Sequence, residues 1–247
     1  MDPLFDFTDQ VVLVTGGSRG LGVEMVRAFA RRGAHLIVAS RKLEACERVA
    51  AEVRALGRRA LAMACHVGRW DDIDALVERS YAEFGRIDVL VNNAGMSPVA
   101  PSSLATSEDL VDKVIALNFK GPFRLSAQVG SRMVAAGGGC IINVSSYGSL
   151  RPQPEYAPYS GAKAALNALT LAHATEFAPQ VRVNAILPGS FRTDISRHWP
   201  ADKEAKTDAV LRRFGEPAEI VSTALYLASP ASGFTTGALI RVDGGRP

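Results

Sequence analysis

The sequence predicts a doubly wound α/β fold, with a parallel sheet of about seven strands and helices on both faces. Three observations carry that expectation. Short β-branched runs alternate with helix-length amphipathic segments along the whole chain. The first run passes directly into a glycine-rich turn that opens a helix. No repeat, low-complexity tract or linker divides the 247 residues, so one domain over 1–247 is expected.

Strands are expected at 11–15, 35–39, 60–64, 88–91, 140–144, 181–186 and 239–242, and helices at 20–32, 42–56, 70–84, 107–135 and 156–177. This βαβα rhythm calls for parallel pairing and right-handed crossovers. Segment 190–214 interrupts it after the sixth strand; it is rich in charge and contains His198-Trp199-Pro200. Ligands of such sheets bind beyond the carboxyl ends of the strands, so the segment reads either as a substrate loop or lid, or as an ordinary surface excursion.

Composition excludes several classes. Apolar residues make up 47% of the chain, enough for a substantial core, and the net charge of +3 is too small to argue for nucleic acid. No apolar run reaches membrane-spanning length, and the acidic start MDPLFDFTDQ is not a secretory signal. Cys46, Cys65 and Cys140 form neither a metal spacing nor an even framework, and neither do His35, His66, His173 and His198 show metal spacing. The expectation is a soluble cytoplasmic protein with no metal, no nucleic-acid partner and no membrane.

The first strand runs into Gly16-Gly17-Ser18-Arg19-Gly20-Leu21-Gly22. Glycines permit a tight turn and close approach of a ligand to the backbone, and helix N-termini attract phosphate. Gly16-x-x-x-Gly20-x-Gly22 in this context is a variant of the dinucleotide fingerprint, which makes the expected fold Rossmann-like and sets Gly16, Ser18, Gly20, Leu21 and Gly22 against a cofactor. About twenty residues on, NAD-selective sites place an acid. Here Ser40-Arg41-Lys42 occupies that place. Arg and Lys attract a 2′-phosphate that a carboxylate would repel, and Arg19 adds a cation, so NADP(H) is expected over NAD(H).

Tyr159 and Lys163 are four residues apart on one helical face, with Ser146 thirteen residues upstream. A nearby cation lowers the pKa of a phenol, and a hydroxyl beside it can hold a substrate oxygen while the phenol moves a proton.

Together these residues resemble the single-domain branch of the short-chain dehydrogenase/reductase family. The likeness spans the whole chain: Thr15-Gly16-x-x-x-Gly20-x-Gly22, Asn92-Asn93-Ala94-Gly95, Asn118, Ser146, Tyr159-x-x-x-Lys163, Pro188-Gly189 with Thr193, and Val242-Asp243-Gly244-Gly245. The resemblance implies an enzyme that interconverts a carbonyl and a secondary alcohol. Tyr159 would be the general acid/base, and Lys163 would bind the nicotinamide ribose and lower the tyrosine pKa. Ser146, rather than Ser145, would bond the substrate oxygen, and Asn118 would support a water linking Lys163 to solvent. Asn92 would tie the central sheet and line the cofactor cleft, joined by Asn93, Ala94 and Gly95. The stretch from Ile186 through Pro188 and Gly189, with Thr193, would contact the nicotinamide amide. A dimer or tetramer packed through the catalytic helix, Ala-rich over 162–178, is also implied.

One position departs from the family pattern. His66, followed by Val67, stands where an Asp usually contacts adenine, which alters the adenine contacts. With Ser40-Arg41-Lys42, this stretch is similar to the NADP-dependent carbonyl and retinol reductases. Tyr156 reads as a pocket wall or packed ring, and Asp243-Gly244-Gly245 as a structural turn. Substrate alternatives are a 3-oxoacyl thioester, a sugar or a steroid; Arg192, Arg197 and Lys203 would meet an acidic carrier, a CoA phosphate or only solvent. A non-catalytic NADP(H) sensor is the alternative of another class.

Overall fold

The computed structural model describes residues 3–194, 196, 202 and 204–246. Strand β1 (Val11–Thr15) is buried along its whole length. Its alternate residues feed two cores: Val12 and Val14 pack on one face of the sheet, Val11 and Leu13 on the other. The strands that follow are β2 (His35–Ser40), β3 (Ala60–Ala64), β4 (Val89–Asn92), β5 (Gly139–Val144), β6 (Val181–Pro188) and β7 (Leu239–Val242). They form one sheet of order β3-β2-β1-β4-β5-β6-β7, parallel at every pairing.

Helices α1 (Gly20–Arg31), α2 (Leu43–Ala55) and α7 (Val221–Ala228) cover one face. Helices α3 (Trp70–Phe84), α5 (Gly121–Ala135) and α6 (Ala157–Glu176) cover the other, and α4 (Glu108–Ile115) precedes α5. The expected strands and helices are all present, with ends moved by at most two residues and one exception. The helix expected over 107–135 is broken by a π-helical turn, Ala116–Lys120, that separates α4 from α5. The turn coincides with a tertiary contact: Gly121 approaches the Val67 carbonyl so closely that a Cβ there would sit 2.1 Å from the oxygen, and Pro122 starts α5 afresh. π turns often mark functional positions, and this one carries Asn118.

The strand order reverses between β1 and β4, and the carboxyl ends of those two strands are where a doubly wound sheet places its ligand. Beyond β6, Phe191 pairs with Gly215 in an isolated parallel bridge outside the seven strands. Of the expected lid, 195, 197–201 and 203 lie outside the described residues, and with them Arg197, His198 and Lys203. Among the described residues no helix is long and apolar enough to cross a membrane, and no three His, Cys, Asp or Glu side chains are grouped to hold a metal.

Candidate active site

The glycine loop is folded back on itself. A Cβ on Gly22 would lie 2.2 Å from the Gly16 carbonyl oxygen, and Gly16 has φ +64°, so both positions require glycine. Gly20 (φ +55°) faces Thr193 across the cleft; a Cβ there would lie 3.7 Å from the Thr193 Cβ. Among the described residues the Arg19 side chain does not cap the first turn of α1, which leaves N–H groups there for a ligand. A bare backbone cradle of this kind suits a pyrophosphate.

Side chains from the neighbouring strand pin the cradle. Asn93 Nδ2 donates to Thr15 O at 2.9 Å and Gly16 O at 3.2 Å, while Thr15 Oγ1 accepts from the Asn93 and Ala94 N–H groups. This corrects the expectation for Asn92. It does tie the sheet, donating to Asn143 Oδ1 and Ser126 Oγ at 2.9 Å each, but it is buried beneath the cleft rather than lining it. Asn143 continues the chain to Thr170 Oγ1 on α6. Sequence reasoning missed Asn143, Ser126 and Thr170; the available signal was polar residues at the paired ends of two apolar strands, where Asn92 stands in register with Asn143.

At the far end of β2, Ser18 Oγ donates to Ser40 Oγ at 2.9 Å, and Ser40 Oγ lies 3.0 Å from Cys46 Sγ. Arg41 and Lys42 are exposed and make no ion pair among the described residues. Among the described residues, the ion-pair contact of Arg19 is one with Asp194 at 4.0 Å. Three cations thus stand around a hydroxyl pair with little else to hold them. His66 turns inward on its own loop, accepting the Gly68 N–H at Nδ1 (3.2 Å), while its backbone N–H is held by Asp72 Oδ2 (2.8 Å). Buried Val67 packs under Gly121.

Ser146, Tyr159, Lys163 and Asn118 converge. Ser146 Oγ accepts the Gly148 N–H at 3.0 Å and hydrogen bonds the Tyr159 hydroxyl. Ser145 instead donates to Lys163 O (3.2 Å), so it faces the backbone of α6. Buried Lys163 donates from Nζ to Val144 O at 2.7 Å. A Cβ on Gly95 would lie 2.9 Å from Asn118 Oδ1 and 3.6 Å from Lys163 Nζ, which sets both beside the β4 loop. Asn118 clamps that loop, accepting from Met96 N–H and donating to Met96 O (3.0 Å) and Val114 O (3.0 Å).

The expected depression of the Tyr159 phenol is not present. Burial pushes it above its ordinary value, opposed by the Ser146 hydrogen bond. Lys163 Nζ is 5.9 Å from the ring centroid and committed to Val144, and its own burial brings it down to about 7. Spacing on a helix face set the two side chains near each other but did not fix where the ammonium points.

Gly189 is tied to β7 by its N–H to Val242 O (2.9 Å), and Pro188 ends β6 in the interior. Arg192 is not free for an acidic carrier: Glu204 and Glu216 both hold its guanidinium. Tyr156 packs edge-to-face on Tyr159 with centroids 6.2 Å apart, as a pocket wall would.

A family model described as enoyl-(acyl carrier protein) reductase matches residues 16–246. Dehydrogenase/reductase SDR family member 4 of Homo sapiens is 35% identical over all of this chain and 89% of its own length. The chain belongs to the short-chain dehydrogenase/reductase family. An uncharacterised oxidoreductase of Mycobacterium tuberculosis is 37% identical over 98% of this chain and 94% of its own. Among solved structures, a short-chain type dehydrogenase/reductase of Mycobacterium marinum superposes with TM-score 0.92 at 35% identity, covering 98% and 96% of the two chains. A Beutenbergia cavernae protein, described as a candidate NAD(P)-dependent gluconate 5-dehydrogenase and solved with NADP at low occupancy, superposes with TM-score 0.92 at 31% identity over 98% of each chain. Members of this family are oxidoreductases that use nicotinamide cofactors, and this chain is one of them.

Proposed function

We propose that the protein interconverts a carbonyl and a secondary alcohol with NADP(H), Tyr159 serving as general acid/base. The observation that carries this reading is the Ser146–Tyr159 hydrogen bond set over buried Lys163 at the carboxyl end of β5. Bound nicotinamide would supply the hydride that a carbonyl carbon gains. The two hydroxyls present a preorganised pair of donors to the carbonyl oxygen as charge develops on it. Tyr159, held protonated by burial, gives its proton. Lys163, titrating near neutrality, returns one, with Asn118 positioning the loop beside it. A phenol raised above its usual range suits reduction at neutral pH and makes oxidation climb with pH.

NADP(H) is supported by Arg41, Lys42 and Arg19 around the Ser18–Ser40 pair, and by NADP in the Beutenbergia relative. An acyl-thioester substrate is the second reading, favoured by the description of the matching family model. A dimer or tetramer is proposed through α5 and α6, where Phe123 and Leu171 stand exposed; light scattering tests it. Three free buried cysteines suit a reducing, cytoplasmic setting.

The deciding assay follows NADPH absorbance against a diketone, a retinoid, a sugar ketone and an acyl thioester. Tyr159→Phe is expected to lower kcat by about a hundredfold or more with NADPH affinity nearly kept. Normal turnover in that variant removes Tyr159 from the chemistry, and binding without turnover on every carbonyl favours a sensor.

A further inference from the structure

A second cluster of charged and aromatic side chains borders the same cleft, assembled by the C-terminal tail. After β7 the chain turns through Gly244 (φ +70°) and Gly245 (φ +78°). Leu211 N–H donates to Gly244 O at 3.0 Å, Gly245 N–H to Asp243 Oδ1 at 3.0 Å, and the Arg241 guanidinium to Arg246 O. Gly245 packs on Val210 so closely that a Cβ would be 3.2 Å from the Val210 Cβ. The fold therefore places Arg246, whose side chain is only 17% exposed.

Its guanidinium lies 5.2 Å from the ring centroid of Tyr147, the residue after Ser146. Its charge also reaches Tyr156, drawing that phenol down against the larger upward push of burial. Tyr156 in turn packs on Tyr159. Other charges stand nearby: Glu155 acts on Tyr156 in the opposite sense, and exposed Arg212 follows Leu211. Arg241, 5.6 Å from the Tyr147 ring, is held by Asp243 at 2.8 Å. Arg246 Nε is 2.8 Å from Asp208 Oδ1, yet its N–H is not aimed at that oxygen, and the buried Nε makes no hydrogen bond. Asp208 is 54% exposed and can turn into water at little cost, whereas the guanidinium is held. A largely buried guanidinium with unspent donors favours a planar anion.

We infer that Arg246 is a subsite for a substrate carboxylate lying several bonds from the reacting carbon, so that the substrates are oxo acids and the corresponding hydroxy acids. The inference rests on the carbonyl–alcohol reading above, with the carboxylate a spectator in the reaction. Tyr156 packs on Tyr159 and also feels the Arg246 charge, which favours acids whose carboxylate is remote from the carbonyl over α-oxo acids, whose carboxylate adjoins it. Among the described residues Arg246 is the largely buried cation beside Asp208, while Arg241 is already neutralised by Asp243, an arrangement that matches a monoanion better than a phosphate dianion.

The test compares kcat/KM with NADPH for levulinate and its next two homologues against the methyl ester of each. Wild type should prefer acid over ester. Arg246→Ala should cut that ratio about tenfold or more, and Arg246→Lys should cut it less. Asp208→Asn should raise it, a gain that misfolding cannot produce. A ratio unmoved by Arg246→Ala and by Asp208→Asn overturns the subsite. A second arm reads the thermal shift given by the same acids with NADP+ present, which needs no turnover. An acid-specific shift in wild type that is lost in Arg246→Ala supports the subsite; no such shift, or one equal in both proteins, counts against it. If no carbonyl is reduced, the carbonyl reading falls while this arm still decides Arg246.

Discussion

The two walls of the cleft are built in different ways. The wall formed by β1, the glycine loop and β4 is main chain held at close approach: Gly22 sits under the Gly16 carbonyl, and the Asn93 and Thr15 side chains bond only main-chain atoms. The described residues of 190–215 and the tail add, to a few main-chain bonds, side chain held by side chain: Arg192 with Glu204 and Glu216, Arg213 with Glu219, and Arg246 beside Asp208. Backbone geometry tolerates almost no substitution, while exposed ion pairs contribute little each and exchange readily. The first wall can recognise one cofactor across many relatives, and the second can change substrates without disturbing it.

The sharpest way to break this contrast is one methyl group. Gly22→Ala puts a Cβ 2.2 Å from Gly16 O and 2.6 Å from Asn93 Nδ2. The loop must open, and NADPH Kd is expected to rise about ten- to a hundredfold, with Tm lowered by several degrees. Gly161→Ala, in the second turn of α6 with nothing within 4 Å of the added Cβ, should instead raise stability by about 1 kcal/mol. Isothermal titration and calorimetry on the pair decide it; equal effects would mean that the loop is not under the steric restriction described.

Lys163 sharpens the comparison by pH. Its ordinary value is 10.5 and burial brings it to about 7. Below 7 the amine is charged folded and unfolded, and the burial penalty is fully present. Between about 7 and 10 the unfolded chain holds the proton and the folded chain does not, so stability rises with pH, by up to about 1.4 kcal/mol per unit. Lys163→Met should abolish this slope. Urea unfolding of both proteins across that window measures it, and parallel pH curves would show that the amine is not depressed.

The first wall was legible in the sequence because its constraints are local. Strand runs, the Gly16–Gly22 spacing and the order of motifs each specify backbone over a few residues. The convergence of Ser146, Tyr159 and Lys163 was legible as well, since helix spacing and a strand end set it. What escaped was long-range or rotameric. Nothing near Lys163 in sequence shows that Val144 O takes its ammonium, and nothing near Arg246 shows Tyr147 and Asp208 beside it. Asn92 and Asn93 are adjacent in sequence, yet strand alternation sends one below the cleft and the other to the glycine loop. The π turn at Asn118 coincides with a contact between Gly121 and Val67, residues far apart in the chain.

The smallest expected effect concerns the one place where the backbone wall also uses side-chain charge. Arg41 and Lys42 project from the end of β2 beside the Ser18–Ser40 pair, exposed and without an ion-pair partner among the described residues. A 2′-phosphate there would gain a bidentate partner in Arg41, whereas a 2′-hydroxyl would gain only a neutral acceptor or donor. Exposure and salt weaken the interaction, and Lys42 and Arg19 remain when Arg41 is removed. Arg41→Ala should therefore raise KM for NADPH about tenfold, leave kcat with saturating cofactor close to wild type, and leave NADH kinetics unmoved. The loss should shrink as ionic strength rises, because the interaction is coulombic. Equal losses with both cofactors would mean that Arg41 supports the loop rather than the phosphate, and the selectivity would then lie in backbone after all.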